Sequence, residues 1–170
     1  MQLYKKLVLP QFDTIVSKLK SVVPIQSFRP AYDLDYSVCS ELVAWFNHND
    51  LVIERAWVII VDSLHTTHMH TDFGPNYQFR LALNFPLYNC STSVTEFYST
   101  EGHRWTDHFE GGNGFTRIEP HPEQRLIDQF VLDSAVLLNI QAPHRVRNLS
   151  KNPRICASFR FKREPMELWS

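Results

Sequence analysis

The chain has 170 residues, 44% of them hydrophobic, and its 17 basic and 18 acidic side chains give a formal net charge of -1. That length suits one domain spanning 1–170 with a core that needs no disulfide staples, and near-neutrality removes the electrostatic case for nonspecific binding to nucleic acid or an anionic membrane. Cys39, Cys90 and Cys156 form no CxxC pair and are an odd number, so reduced thiols in a cytoplasm are expected, with no apolar run long enough to span a membrane.

In chain order, the N-terminal "MQLYKKLVLPQFD" starts basic but has no sustained apolar stretch, so no signal peptide is expected. Phe12, Ile15, Val16 and Leu19 then recur at helical spacing. Val38, Cys39, Leu42, Val43 and Phe46 repeat the pattern after Ser37, a suitable N-cap, so helices are predicted within about 11–48. From about 51 to 163 the pattern turns to short β-rich runs, at 52–61, 67–71, 79–85, 94–98, 125–131, 135–140, 145–148 and 155–161. Such a succession predicts a mainly β sandwich or jelly-roll (cupin-like) barrel, with the helices covering one outer sheet face. The polar, glycine-containing stretch 99–123, with Gly102, Gly111, Gly112 and Gly114, reads as a long loop of the kind that serves as a lid.

Alternation places polar and apolar residues on opposite faces of two strands. Gln78, Arg80, Ala82 and Asn84 oppose Phe79, Leu81, Leu83 and Phe85, and Arg154, Cys156, Ser158 and Arg160 oppose Ile155, Ala157, Phe159 and Phe161. One face of each strand packs and the other meets a ligand. Cys156 is expected to be a small buried residue of its strand.

The chemistry concentrates in His70-Thr71-Asp72 and the distant His144, followed ten positions later by Arg154. Two residues apart on a strand, His70 and Asp72 point the same way and can grip one ion, with His144 as the third ligand. Two neutral imidazoles and one carboxylate leave three cis positions of an octahedral ion open, which suits catalysis by Fe(II), whereas structural zinc needs a closed fourth position. The run "HTTHMHTD" also offers His65 and His68. A His68/His70 metal pair is the alternative, and the favoured assignment leaves His68 as a supporting or substrate contact. His103, His108 and His121 read as solvated loop residues. Trp105 either closes over substrate or anchors the loop. Asn84, Tyr98 and Asn139 can bond a cofactor or substrate or fill ordinary packing and turn roles.

The pattern His70-x-Asp72, His144 and Arg154 resembles the Fe(II)/2-oxoglutarate-dependent oxygenase superfamily, over residues 58–162. Segments "ALNFPLYNC", "TEFY" and "PHRVRNLSKNPRICASFRF" carry the likeness further. The resemblance implies a double-stranded β-helix and Fe(II) on His70, Asp72 and His144. It also implies 2-oxoglutarate and O2 as cosubstrates, ascorbate as the reductant in vitro, and a hydroxylated product. Arg154 would then pair with the far carboxylate of 2-oxoglutarate, with Arg80, Asn84 and Ser158 as further cofactor contacts; Arg80 and Arg160 lie on comparable faces and could also reach a carboxylate. A weaker similarity joins the aspartyl/asparaginyl β-hydroxylases through "HTDFGPNYQFRLAL" and "PHRVRN" to Arg154. That family carries Gly where this chain has Asp72, and Arg80 resembles its second arginine, although the accompanying histidine is Ala82 here. The similarity leans towards an amino acid or peptide side chain as prime substrate, by analogy alone. The expectation from a different class is a metal-binding cupin-like protein that senses or binds a small molecule without turnover.

Overall fold

The computed structural model describes residues 2–23, 31–72, 80–101, 104–110, 113–119 and 121–170. In chain order the elements are β1 (Tyr4–Leu7), α1 (Phe12–Ser21), β2 (Ala31–Asp33), α2 (Ser40–His48), β3 (Ile53–Val61), β4 (His70–Thr71), β5 (Leu81–Tyr88), β6 (Ser93–Tyr98), β7 (Arg104–Glu110), β8 (Asn113–Glu119), β9 (Leu126–Val131), β10 (Ala135–Asn139), β11 (His144–Asn148), β12 (Arg154–Phe161) and α3 (Met166–Trp169). The strands form two six-stranded antiparallel sheets, ordered β1-β10-β5-β12-β3-β2 and β7-β8-β4-β11-β6-β9. From β3 to β6, and again from β9 to β12, the chain passes back and forth between them.

Strand periodicity decides what each layer contains. On β5 and β12, Leu81, Leu83, Phe85, Ala157, Phe159 and Phe161 face outward under α1 and α2, where Ile15, Leu19, Leu42 and Phe46 seal them. The opposite faces turn into the space between the sheets. There Ala82, Val136, Leu138 and Cys156 from one sheet meet Phe97 and Phe130 from the other. Burying one fully enclosed phenylalanine contributes about 1.5–3 kcal/mol, so the helix-covered layer, with Phe46, Phe85, Phe159 and Phe161 all almost inaccessible, is the main apolar store of stability.

Several local expectations change. The second helix starts after Cys39 rather than after Ser37, because Ser37 donates from both its backbone N–H and its hydroxyl to Asp35 and so closes a turn of its own. The expected strand 67–71 contracts to His70–Thr71, with Thr66 making an isolated bridge to Arg147. The greatest departure is in the expected loop 99–123. It contains the hairpin β7–β8, in register from Arg104↔Glu119 to Glu110↔Asn113, which extends the second sheet past β4. Thr and aromatic residues in Arg104–Glu110 and Asn113–Glu119 supply the β preference that polar composition hid. Gln78, Phe79, Gly102, His103, Gly111 and Gly112 lie outside the described residues, as do the side chains of Trp105, His108 and Gly114's neighbours in the hairpin. The C-terminal α3 returns Leu168 and Trp169 onto the helix-covered core. No helix among the described residues is long and apolar enough to cross a membrane.

Candidate metal centre

A two-residue strand is enough to hold the centre because it is paired on both sides. His70 lies directly opposite His144 on β11 and, across its other edge, opposite Arg117 on β8. Residues opposite one another in an antiparallel pair share a face, so the two imidazoles meet, their ring centroids 4.5 Å apart. Asp72 follows the strand's end. Its N–H donates to the Ile140 carbonyl at 2.9 Å, and its Oδ1 stands 3.4 Å from His70 Nε2. One ligand atom from each of His70, Asp72 and His144 falls within 4.8 Å of the others.

Hydrogen bonds set the orientation of the rings. His70 Nδ1 is 2.8 Å from the His68 carbonyl and His144 Nδ1 is 2.9 Å from the Ala142 carbonyl. A carbonyl only accepts, so each Nδ1 carries a proton and each Nε2 is the nitrogen left for a metal. Burial, together with the neighbouring His70, pushes the His144 imidazole down to about 4 against the pull of Asp72, so it is neutral at physiological pH. For Asp72 burial works the other way, but the Arg160 guanidinium, by its charge and its hydrogen bond, and the adjoining imidazoles outweigh it and hold the carboxyl below its ordinary value. Two imidazole nitrogens and an ionised carboxylate converging on one point form a donor set that fits a divalent cation with positions left open.

Arg160 completes the arrangement. Its Nη2 donates to Asp72 Oδ2 at 2.5 Å, its Nη1 donates to Ser158 Oγ at 2.6 Å, and its guanidinium lies 5.4 Å from the centre of the Trp57 ring. With Oδ2 held by the arginine, Oδ1 is the oxygen left towards His70.

The other predicted residues divide. Arg154, on the same face of β12 as Ser158 and Arg160, is buried at 3% exposure, and its Nη1 donates to Cys156 Sγ at 3.4 Å. Among the described residues no carboxylate pairs with it. Ser158 is fully buried opposite Asn84, whose Oδ1 is buried without a hydrogen-bond partner. Arg80 is the exception. Its backbone carbonyl accepts from Ile140, but its side chain is 60% exposed and paired with Glu164, so the guanidinium is directed out of the space that holds the cluster. A carboxylate 84 residues further along the chain, invisible to strand alternation, draws it away.

Tyr98 and Asn139 take structural roles. The Tyr98 hydroxyl donates to Glu96, a buried carboxylate also bridged by Arg145 and Arg147 at 2.6 and 2.8 Å, and Asn139 Oδ1 accepts from Gln141 N–H. His121 Nδ1 caps its own turn by accepting from Glu123 N–H. The contact of Arg160 with Asp72 and the position of Arg117 are features that sequence reasoning missed. Alternation already put Arg160 on the correct face, whereas Arg117 was concealed in a stretch read as loop.

No protein-family model matches the sequence, and no curated protein does either. Among solved structures, the chain is similar to a Pseudomonas putida prolyl-4-hydroxylase, with TM-score 0.54 and 10% identity over 96% of this chain and 94% of that one. At that identity the likeness concerns the fold, which the two share. Escherichia coli ycfD has TM-score 0.42 and 11% identity over 74% of this chain and 30% of its own. Bacillus subtilis oxalate decarboxylase has TM-score 0.35 and 14% identity over 85% and 28%.

Proposed function

We propose that this chain is an Fe(II)- and 2-oxoglutarate-dependent dioxygenase built on a double-stranded β-helix, one domain that hydroxylates a prime substrate. The observation that carries the reading is a buried Arg154 that meets no carboxylate among the described residues, on the interior strand face that also carries Ser158 and Arg160 and leads to the His70, Asp72 and His144 cluster. A guanidinium stays charged at any working pH, and an unpaired buried charge costs several kcal/mol, so an interior of this kind fits an anionic cosubstrate. A protein that only binds a metal has no use for it.

When bound, Fe(II) and 2-oxoglutarate supply oxidative decarboxylation to succinate and CO2, coupled to insertion of one oxygen atom of O2 into a C–H bond. The protein's part follows from its own residues. His70, Asp72 and His144 hold the metal. Arg160 fixes which Asp72 oxygen faces it, and the Nδ1 bonds to carbonyls prevent either imidazole from turning. Arg154 would neutralise the distal carboxylate, and the Ser158 hydroxyl, which accepts from Arg160, keeps its own O–H to donate. Phe97, which lies 6.1 Å from His144 by ring centroids, and the apolar interior exclude water.

The test is succinate formation from 2-oxoglutarate by purified protein with Fe(II), ascorbate and O2, beside an Asp72→Ala control. Metal- and Asp72-dependent succinate is the expected result, preceded by a faint visible band when Fe(II) and 2-oxoglutarate are added anaerobically. Binding of metal without that band or turnover would favour the cupin-like binding protein instead.

A further inference from the structure

The hairpin β7–β8 brings a second cation to the metal side of the sheet. Because Arg117 on β8 is in direct register with His70 on β4, both side chains leave the same face of the sheet. The Arg117 guanidinium does not hang free there. Its Nη2 donates to His68 Nδ1 at 2.7 Å, and the His68 carbonyl in turn accepts from His70 Nδ1 at 2.8 Å. Arg117 is thus tied through one residue to a metal ligand, and is only half-buried.

Beside Arg154, one further cation near the cluster lacks an acid among the described residues. Arg160 is paired with Asp72 and Arg80 with Glu164, but among the described residues no carboxylate meets Arg117. Its acceptor is an imidazole nitrogen, so among the described residues the positive charge has no acid beside it. A guanidinium fork held by one nitrogen retains N–H groups for an oxyanion. Since the fork is already ordered by His68, binding an anion there costs little side-chain entropy.

We propose that Arg117, held by His68, is the specificity-determining contact of the site, and that it selects a prime substrate bearing an oxyanion, carboxylate or phosphate, beside the carbon to be oxidised. The inference rests on the dioxygenase reading for the word substrate, but the anion site does not. Arg154 is reserved in that reading for the cosubstrate, so the two arginines serve different anions from opposite strands.

The experiment uses matched probes: N-acetyl amino acids with their amides, and nucleoside 5′-monophosphates with their nucleosides. Binding is followed by ligand-observed NMR on the Zn(II)-loaded full chain, without turnover. The charged member of one pair is expected to bind at least about tenfold more tightly than its neutral partner, as charged hydrogen bonds of this kind are worth. The carboxylate and phosphate pairs tell the two sources apart. Arg117→Met should erase the preference and Arg117→Lys restore part of it, with 2-oxoglutarate affinity and thermal midpoint unchanged in both. Equal affinity for charged and neutral members, binding of neither set, or an unaltered preference in Arg117→Met would overturn the proposal. Absence of Asp72-dependent succinate with the charge preference intact would instead reject the dioxygenase reading and leave the anion site standing.

Discussion

The two faces of β12 make opposite uses of burial. All eight residues from Arg154 to Phe161 are buried, yet Ile155, Ala157, Phe159 and Phe161 enter an apolar layer under the helices, whereas Arg154, Cys156, Ser158 and Arg160 enter the space between the sheets. The first face is closed and complete. Phe159 packs against Tyr36, Phe46 and Phe85 at ring separations of 5.3 to 5.6 Å. On the second, among the described residues no carboxylate meets Arg154, and Asn84 Oδ1 and Arg160 Nε have no hydrogen-bond partner. A single strand can therefore secure the fold with one face while the other holds unspent polar capacity, which is what the proposed cosubstrate site requires.

That contrast can be broken from either side. The largest effect expected is from Asp72→Asn, which removes the ligand charge but keeps an acceptor for Arg160: 2-oxoglutarate turnover should fall to the level seen without protein while the thermal midpoint drops less than in Asp72→Ala, as turnover assays and calorimetry on one preparation can check. Phe159→Ala should do the reverse. It should cost about 3–5 kcal/mol in urea unfolding through the cavity it leaves, with metal affinity of the folded fraction preserved. Arg154→Leu sharpens the comparison, because it removes a buried cation that lacks a counter-ion. Titration should show the 2-oxoglutarate requirement raised by about a hundredfold, and unfolding of the ligand-free protein should show stability equal to or above that of the parent. A loss of stability there would mean that Arg154 has a structural partner.

The smallest effect lies on the outer surface of the second sheet. Burial alone would raise the Glu96 carboxyl, but hydrogen bonds from Arg145, Tyr98 and Arg147 outweigh it and hold it below its ordinary value of 4.5. A carboxyl depressed by folding contributes stability that is fully present above the unfolded value and is lost as pH falls through the folded one. Glu96→Gln should cost about 1–2 kcal/mol at pH 7, modest because Arg145 and Arg147 are partly exposed, and should flatten the loss of stability below about pH 4.5 seen in acid unfolding curves.

The extent to which the chain could be read before folding depends on the range of the interaction concerned. Helical spacing in Phe12, Ile15 and Leu19, and two-residue alternation in Leu81 to Phe85 and Arg154 to Phe161, are local patterns, and each face they define is found where alternation puts it. The stretch 99–123 failed that treatment because its strands are polar and short of alternating aliphatics, and only pairing with β4 makes them strands. Arg80 failed because Glu164 reaches it from 84 residues away.

By itself, the sequence determined which residues are chemically able to bind a metal and on which strand faces they sit, since residue type and a period of two need no knowledge of distant contacts. The register of β4 between β8 and β11 needed tertiary structure. It alone set His144 against His70, brought Arg160 to Asp72 and placed Arg117 beside the centre, because pairing between strands far apart in sequence is selected by the packing of whole sheets.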